Sequence, residues 1–113
     1  MTPEERQFLL TVAWLFMRHG QRTRARSICE ALSEDNPRDG TVAVALAELL
    51  VDDGAADDAV AVLRAADVPS SLAHAEAVLE TRALRLMGRK SEAQSRWRRY
   101  LESRKGSARQ WMA

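Results

Sequence analysis

The side chains in this sequence with the chemistry to catalyse or to ligate are few and poorly spaced for either task. Cys29 is the single cysteine, so no internal disulfide can form, and it falls at an apolar phase of the chain, where a thiol packs instead of reacting. His19 and His74 are far apart in sequence and neither has ligand-type neighbours. Asp52, Asp53, Asp57 and Asp58 invite a metal, but they straddle a helix end, a glycine turn and a helix start, with none of the spacing of a calcium loop. Asp57 and Asp58 instead suit a helix N-terminus, where the macrodipole favours negative charge. There is no phosphate loop and no nucleophile motif. The reading is of a chain that is not an enzyme and takes neither metal nor cofactor.

Charge is the next candidate for function. Arg89, Lys90, Arg96, Arg98, Arg99, Arg104, Lys105 and Arg109 form a basic run. Its arginines spread around several faces of a helix, and no stacking aromatics or groove-reading motif accompany them, which argues against nucleic acid. The net charge of +1 hides a segregation: residues 1–33 carry 5 basic and 3 acidic groups, residues 34–70 carry 2 and 9, and residues 71–113 carry 10 and 4. An acidic protein surface is the better partner for such ends, and the attraction would speed encounter more than tighten it.

The elements that must position these groups are helical. The 113 residues suffice for one domain, 1–113, and the composition is 46% hydrophobic, 29% charged and 5% aromatic, rich in Ala, Leu, Arg and Glu. Two of the three prolines, Pro37 and Pro69, sit between helix-like stretches. The spacing predicts six helices near residues 3–19, 22–34, 40–53, 56–66, 71–87 and 90–104, with Thr2-Pro3-Glu5 as the first N-cap. No apolar run reaches the roughly 20 residues that span a bilayer. The N-terminus has no signal-peptide pattern, and a lone cysteine suits a reducing compartment, so a cytoplasmic location is expected.

Self-similarity organises these helices. Gly20, Gly54 and Gly88 are 34 residues apart, and Ala25, Ala59 and Ala93 repeat at the same interval, which is the tetratricopeptide period. Each glycine fits the turn of a helical hairpin, and each alanine the close crossing behind it. Cys29, Leu63 and Trp97 share a phase, as do Phe16, Leu50 and Leu84, and Leu9, Ala43 and Ala77. The expected fold is all-α, with three tetratricopeptide-type hairpins, about 6–39, 40–73 and 74–107, stacked in a short superhelical array.

The stretch Phe8-Leu9-Leu10, Ala13-Trp14-Leu15, Gly20, Ala25-Arg26, Leu32, Asn36-Pro37 resembles the small SctY (YscY-type) chaperones of bacterial type III secretion systems. The closing stretch Arg82-Ala83-Leu84-Arg85-Leu86-Met87-Gly88, Ala93, Trp97, Tyr100-Leu101-Glu102 is similar to the end of that family. The resemblance implies a cytosolic chaperone that binds a secreted component (SctX-like), keeps it soluble and presents it to the export gate (SctV-like).

A stacked array curves, and its first helices line the concave face where a partner docks. Repeat phase assigns Gln7, Leu10, Trp14, Met17 and Arg18 to that face, then Thr41, Val44, Glu48, Val51 and Asp52, then Ala75, Val78, Arg82 and Arg85. The expected partner-binding groove is Leu10, Trp14, Met17, Val44, Glu48, Val51, Val78, Arg82 and Arg85, with Leu10, Trp14, Met17, Val44, Val51 and Val78 as its apolar surface. The competing reading buries some of these in the array's own core. Trp97 and Tyr100 read as packing residues, and Trp111 falls beyond the last predicted helix. A general scaffold in a regulatory complex is the alternative to a dedicated chaperone, and the uncovered ends leave a homodimer open.

Overall fold

The structure is a computed structural model that describes the backbone of residues 1–112 and all of their side chains except those of 107–109 and 112. Six helices run α1 (Pro3–Arg18), α2 (Arg22–Asp35), α3 (Gly40–Asp52), α4 (Ala56–Ala65), α5 (Ala73–Leu86) and α6 (Lys90–Met112). They form three antiparallel hairpins, α1–α2, α3–α4 and α5–α6, each packed on the next.

The hairpins close by one repeated piece of backbone chemistry. Gly20, Gly54 and Gly88 take φ of 75°, 83° and 77°, the left-handed region that costs other residues a Cβ clash. Behind them Gln21, Ala55 and Arg89 donate N–H bonds to the carbonyls of Phe16, Leu50 and Leu84 at 2.8, 2.8 and 2.9 Å. This is the Schellman closure, which satisfies carbonyls that the helix end leaves open. Ala25, Ala59 and Ala93 are fully buried, as a close helix crossing requires.

Caps set the starts. Thr2 Oγ1 accepts the Glu5 N–H at 3.1 Å, with Pro3 at the first helical position. Asp39 does the same for α3 by accepting from the Val42 N–H at 3.3 Å. Helix α3 lies between the other two hairpins, so every apolar residue from Val42 to Val51 is buried.

Two elements differ from the sequence reading. A 3₁₀ turn at Ser70–Leu72 precedes α5; it follows Pro69, whose backbone is extended here and whose ring keeps Val68 before it out of helical conformation. Helix α6 does not stop near 104 but continues to Met112, so Trp111 is helical and 91% exposed, neither folded back over the last hairpin nor beyond a helix end.

The segregated charges tie the hairpins together. Arg6 of α1 reaches Asp35 at 2.6 Å and Asp39 at 2.8 Å. Arg22 and Arg26 of α2 pair with Asp52 and Asp53 at the end of α3, and Arg82 of α5 reaches Asp52 from the other side at 3.1 Å. The acidic middle is thus partly spent on its basic neighbours. The pairs of Arg22, Arg26 and Arg82 are partly solvated and contribute about 0–1 kcal/mol each, whereas Arg6 is mostly buried beside Asp39.

Candidate partner-binding groove

The concave surface is narrower than phase counting alone implies. Trp14 from α1, Thr41, Val44 and Glu48 from α3, and Ala75, Val78, Leu79 and Arg82 from α5 line one open groove of about 370 Å³, with Leu72 and His74 at its lip. Its exposed apolar groups are Trp14, at 46%, and Val78, at 38%. Neither exposure is needed for the hairpins to pack, and an indole half in water is a contact surface without a partner.

Three expected groove residues are core residues. Leu10, Val44 and Val51 are buried, at 7%, 8% and 3% exposure. Val44 still contributes its outer edge to the groove floor, whereas Val51 turns into the cluster with Leu46, Leu49 and Leu50. Leu10 borders a different hollow with Arg6, Gln7, Asp39 and Thr41. The reason is common to all three: a neighbouring hairpin covers the helix flank that repeat phase assigns to the concave side. Met17 is half-buried against the same core.

On the far side of α5 a second hollow is lined by Val78, Thr81, Arg82, Arg85 and Trp97. Val78 and Arg82 line both hollows, so the concave surface continues from Trp14 across α5 to Trp97. Trp97, read from its phase as a packing residue, is only half-buried, since among the described residues α6 packs mainly on α5. Its ring sits 6.2 Å from that of His74 and 5.3 Å from that of Tyr100, and His74 Nδ1 lies 3.2 Å from the Tyr100 hydroxyl. Leu72, His74, Leu79 and Trp97 complete the surface. His74 and Leu72 lie at the start of α5, where a phase count from the helix centre does not reach.

The rim is polar. Glu48 is half-exposed, and Arg82 is held by Asp52, which Arg22 also contacts at 3.3 Å. The groove therefore offers an apolar strip with one acid and one base beside it, suited to the apolar face of an amphipathic segment. The remaining reactive groups do not converge. Among the described residues no three His, Cys, Asp or Glu side chains gather to hold a metal. Burial pushes the Cys29 thiol up to about 11, with Glu30 adding to the effect, so it stays protonated at neutral pH. Among the described residues no helix is long and apolar enough to cross a membrane.

Comparison with known proteins agrees with this architecture. Residues 16–68, which span the end of α1 through α4, match the family model described as tetratricopeptide repeat. No curated protein and no solved structure matches the chain. The match and the three equivalent hairpin closures together define an array of tetratricopeptide type, a fold whose concave face serves protein–protein interaction.

Proposed function

We propose that this chain is a cytoplasmic chaperone that acts by binding and not by catalysis. It holds an apolar helical segment of a small secreted type III secretion component, SctX-like, in the concave groove and presents it to an export gate of SctV type. The observation that carries the binding reading is the half-exposed Trp14 facing Val78 across a groove floored by Val44. The secretion assignment rests on the sequence resemblance alone.

The test is retention of partners from the native host by the wild-type chain and by Trp14→Glu and Val78→Glu, read by mass spectrometry. Both substitutions fall on exposed side chains and should leave the fold intact. Recovery of one small helical secreted protein, lost with either variant, supports the chaperone reading. A varied set of partners that ignores both variants favours a general scaffold and removes the groove from the account.

A further inference from the structure

The repeat period shows what α1 lacks. One period after Phe8, Val12 and Leu15 of α1 come Val42, Leu46 and Leu49 of α3, all buried in the core beside α2. Two periods on come Glu76, Glu80 and Ala83 of α5, the helix packed on α4. The same stripe of α1 is uncovered: Phe8 is 66% exposed and Leu15 50%, with Met1 exposed beyond them.

The charges around that stripe identify its cover. In α3 the residues one period after Arg18 and His19 are Asp52 and Asp53, and they receive Arg22 and Arg26 from the start of the covering helix α2. In α1 the sign is reversed, so the helix that covers it must bring acid in its first turn where α2 brings arginine. Helix α1 is itself such a helix. It has Glu4 and Glu5 in its first turn and Arg18 in its last. Among the described residues none of the three takes part in an ion pair.

We infer that the uncovered face of α1 is a self-association surface, on which α1 of a second copy of this chain lies antiparallel about a twofold axis near Thr11 and Val12. In that register Phe8 of each copy meets Leu15 of the other, and Glu5 of each meets Arg18 of the other. The contact is isologous, so one helix supplies both halves of the charge complementarity. One helix face per copy lies at the small end of specific interfaces, the range of weak and reversible association. The surface is separate from the concave groove, so the inference stands whether or not the chaperone reading does.

Sedimentation velocity on the full chain between about 1 and 500 μM tests it, covering the range in which weak interfaces assemble. A monomer–dimer equilibrium is expected, and Phe8→Glu should weaken it at least about thirtyfold while leaving the far-ultraviolet circular dichroism unchanged. Glu5→Arg and Arg18→Glu should each weaken the dimer alone, because each places like charges opposite one another. Mixing the two variants should recover it, since both contacts then oppose acid to base, and general damage to the fold could not produce that recovery. A monomer over the whole range, a dimer indifferent to Phe8→Glu, or no recovery on mixing overturns the inference. So does a chain that stays monomeric and buries Phe8 only under another protein's helix.

Discussion

Gly40 lies against Asp67 so closely that a Cβ at residue 40 would overlap the Asp67 carbonyl oxygen and the Cα of Val68. The contact joins the start of α3, just past the linker between the first two hairpins, to the linker between the last two. Asp67 N–H donates to the Arg38 carbonyl at 2.9 Å, and the Arg38 guanidinium grips the Asp67 carboxylate. Because the obstruction is backbone, no side-chain rotation relieves it. Gly40→Ala is therefore expected to destabilise by about 1–3 kcal/mol, the usual cost of overpacking. Gly106→Ala is the control: it meets nothing within 4 Å inside α6 and should stabilise by up to about 1 kcal/mol. Urea unfolding midpoints at constant slope measure both.

A second prediction concerns Glu80, which among the described residues is the buried charged group between α4, α5 and α6. Glu80 is 6% exposed and has Arg96 at 3.4 Å and the more exposed Arg64 at 3.6 Å. One period earlier the residue is Leu46, so the repeat tolerates an apolar group here. Arg96→Met leaves a buried carboxylate nearly unpaired and should cost about 3–5 kcal/mol. Adding Glu80→Leu should recover much of that loss, because it removes the stranded charge. A double-mutant cycle by denaturant unfolding reads the coupling.

Glu76 gives a pH dependence. Burial raises its carboxyl above the ordinary range; Arg96 opposes the shift and Glu80 reinforces it. A raised folded value means that the folded chain binds the proton more tightly than the unfolded chain, so this group's contribution to stability falls as pH rises through the acidic range. Glu76→Gln removes that loss. The variant should be more stable than wild type at pH 7, and the advantage should vanish once Glu76 is protonated in both states. Thermal unfolding at pH 7 and pH 3 would show the advantage disappear; an equal shift at both values would contradict it.

What could be read from the sequence divides along a physical line. The closures at Gly20, Gly54 and Gly88 are local chemistry, fixed by a few consecutive residues, and their period alone was enough to set out three hairpins. The spacing marks Gly40 only as the start of the third helix, because the backbone that crowds it belongs to a linker elsewhere in the sequence. The groove was half legible. Phase tells which flank of a helix a residue occupies, and it put Trp14, Val78 and Arg82 on the concave side. It does not tell how far the next hairpin covers that flank, which is why Leu10, Val44 and Val51 are core residues. The continuation of α6 to Met112 escaped because Ser103 and Gly106 weaken the periodic pattern, while Arg and Lys around them are good helix formers.

Cys29 supplies a probe of the core that needs no substitution. It is fully buried on α2, and its thiol value of about 11 leaves little thiolate at pH 8. A thiol reagent such as dithionitrobenzoate is expected to react only through opening of the fold, at a rate that tracks denaturant. Immediate reaction in native buffer would mean that α2 is not seated against α1 and α3.

Trp14 and Val44 separate binding from folding, since both line the groove but only Val44 belongs to the core. Val44 is 8% exposed, so Val44→Ala removes buried methyl groups and should cost roughly 1–3 kcal/mol of stability. Its effect on partner binding should be small, because only its outer edge reaches the groove. Trp14 is 46% exposed, so Trp14→Ala should change the unfolding midpoint little. If the groove seats an apolar helix, the same substitution should weaken the complex by about 2 kcal/mol or more, as loss of an aromatic anchor does. Calorimetric titration of each variant with the captured partner, beside its urea unfolding curve, places both on two axes. Loss of binding and stability together at Trp14 would show that the indole supports the fold and is not held out for a partner.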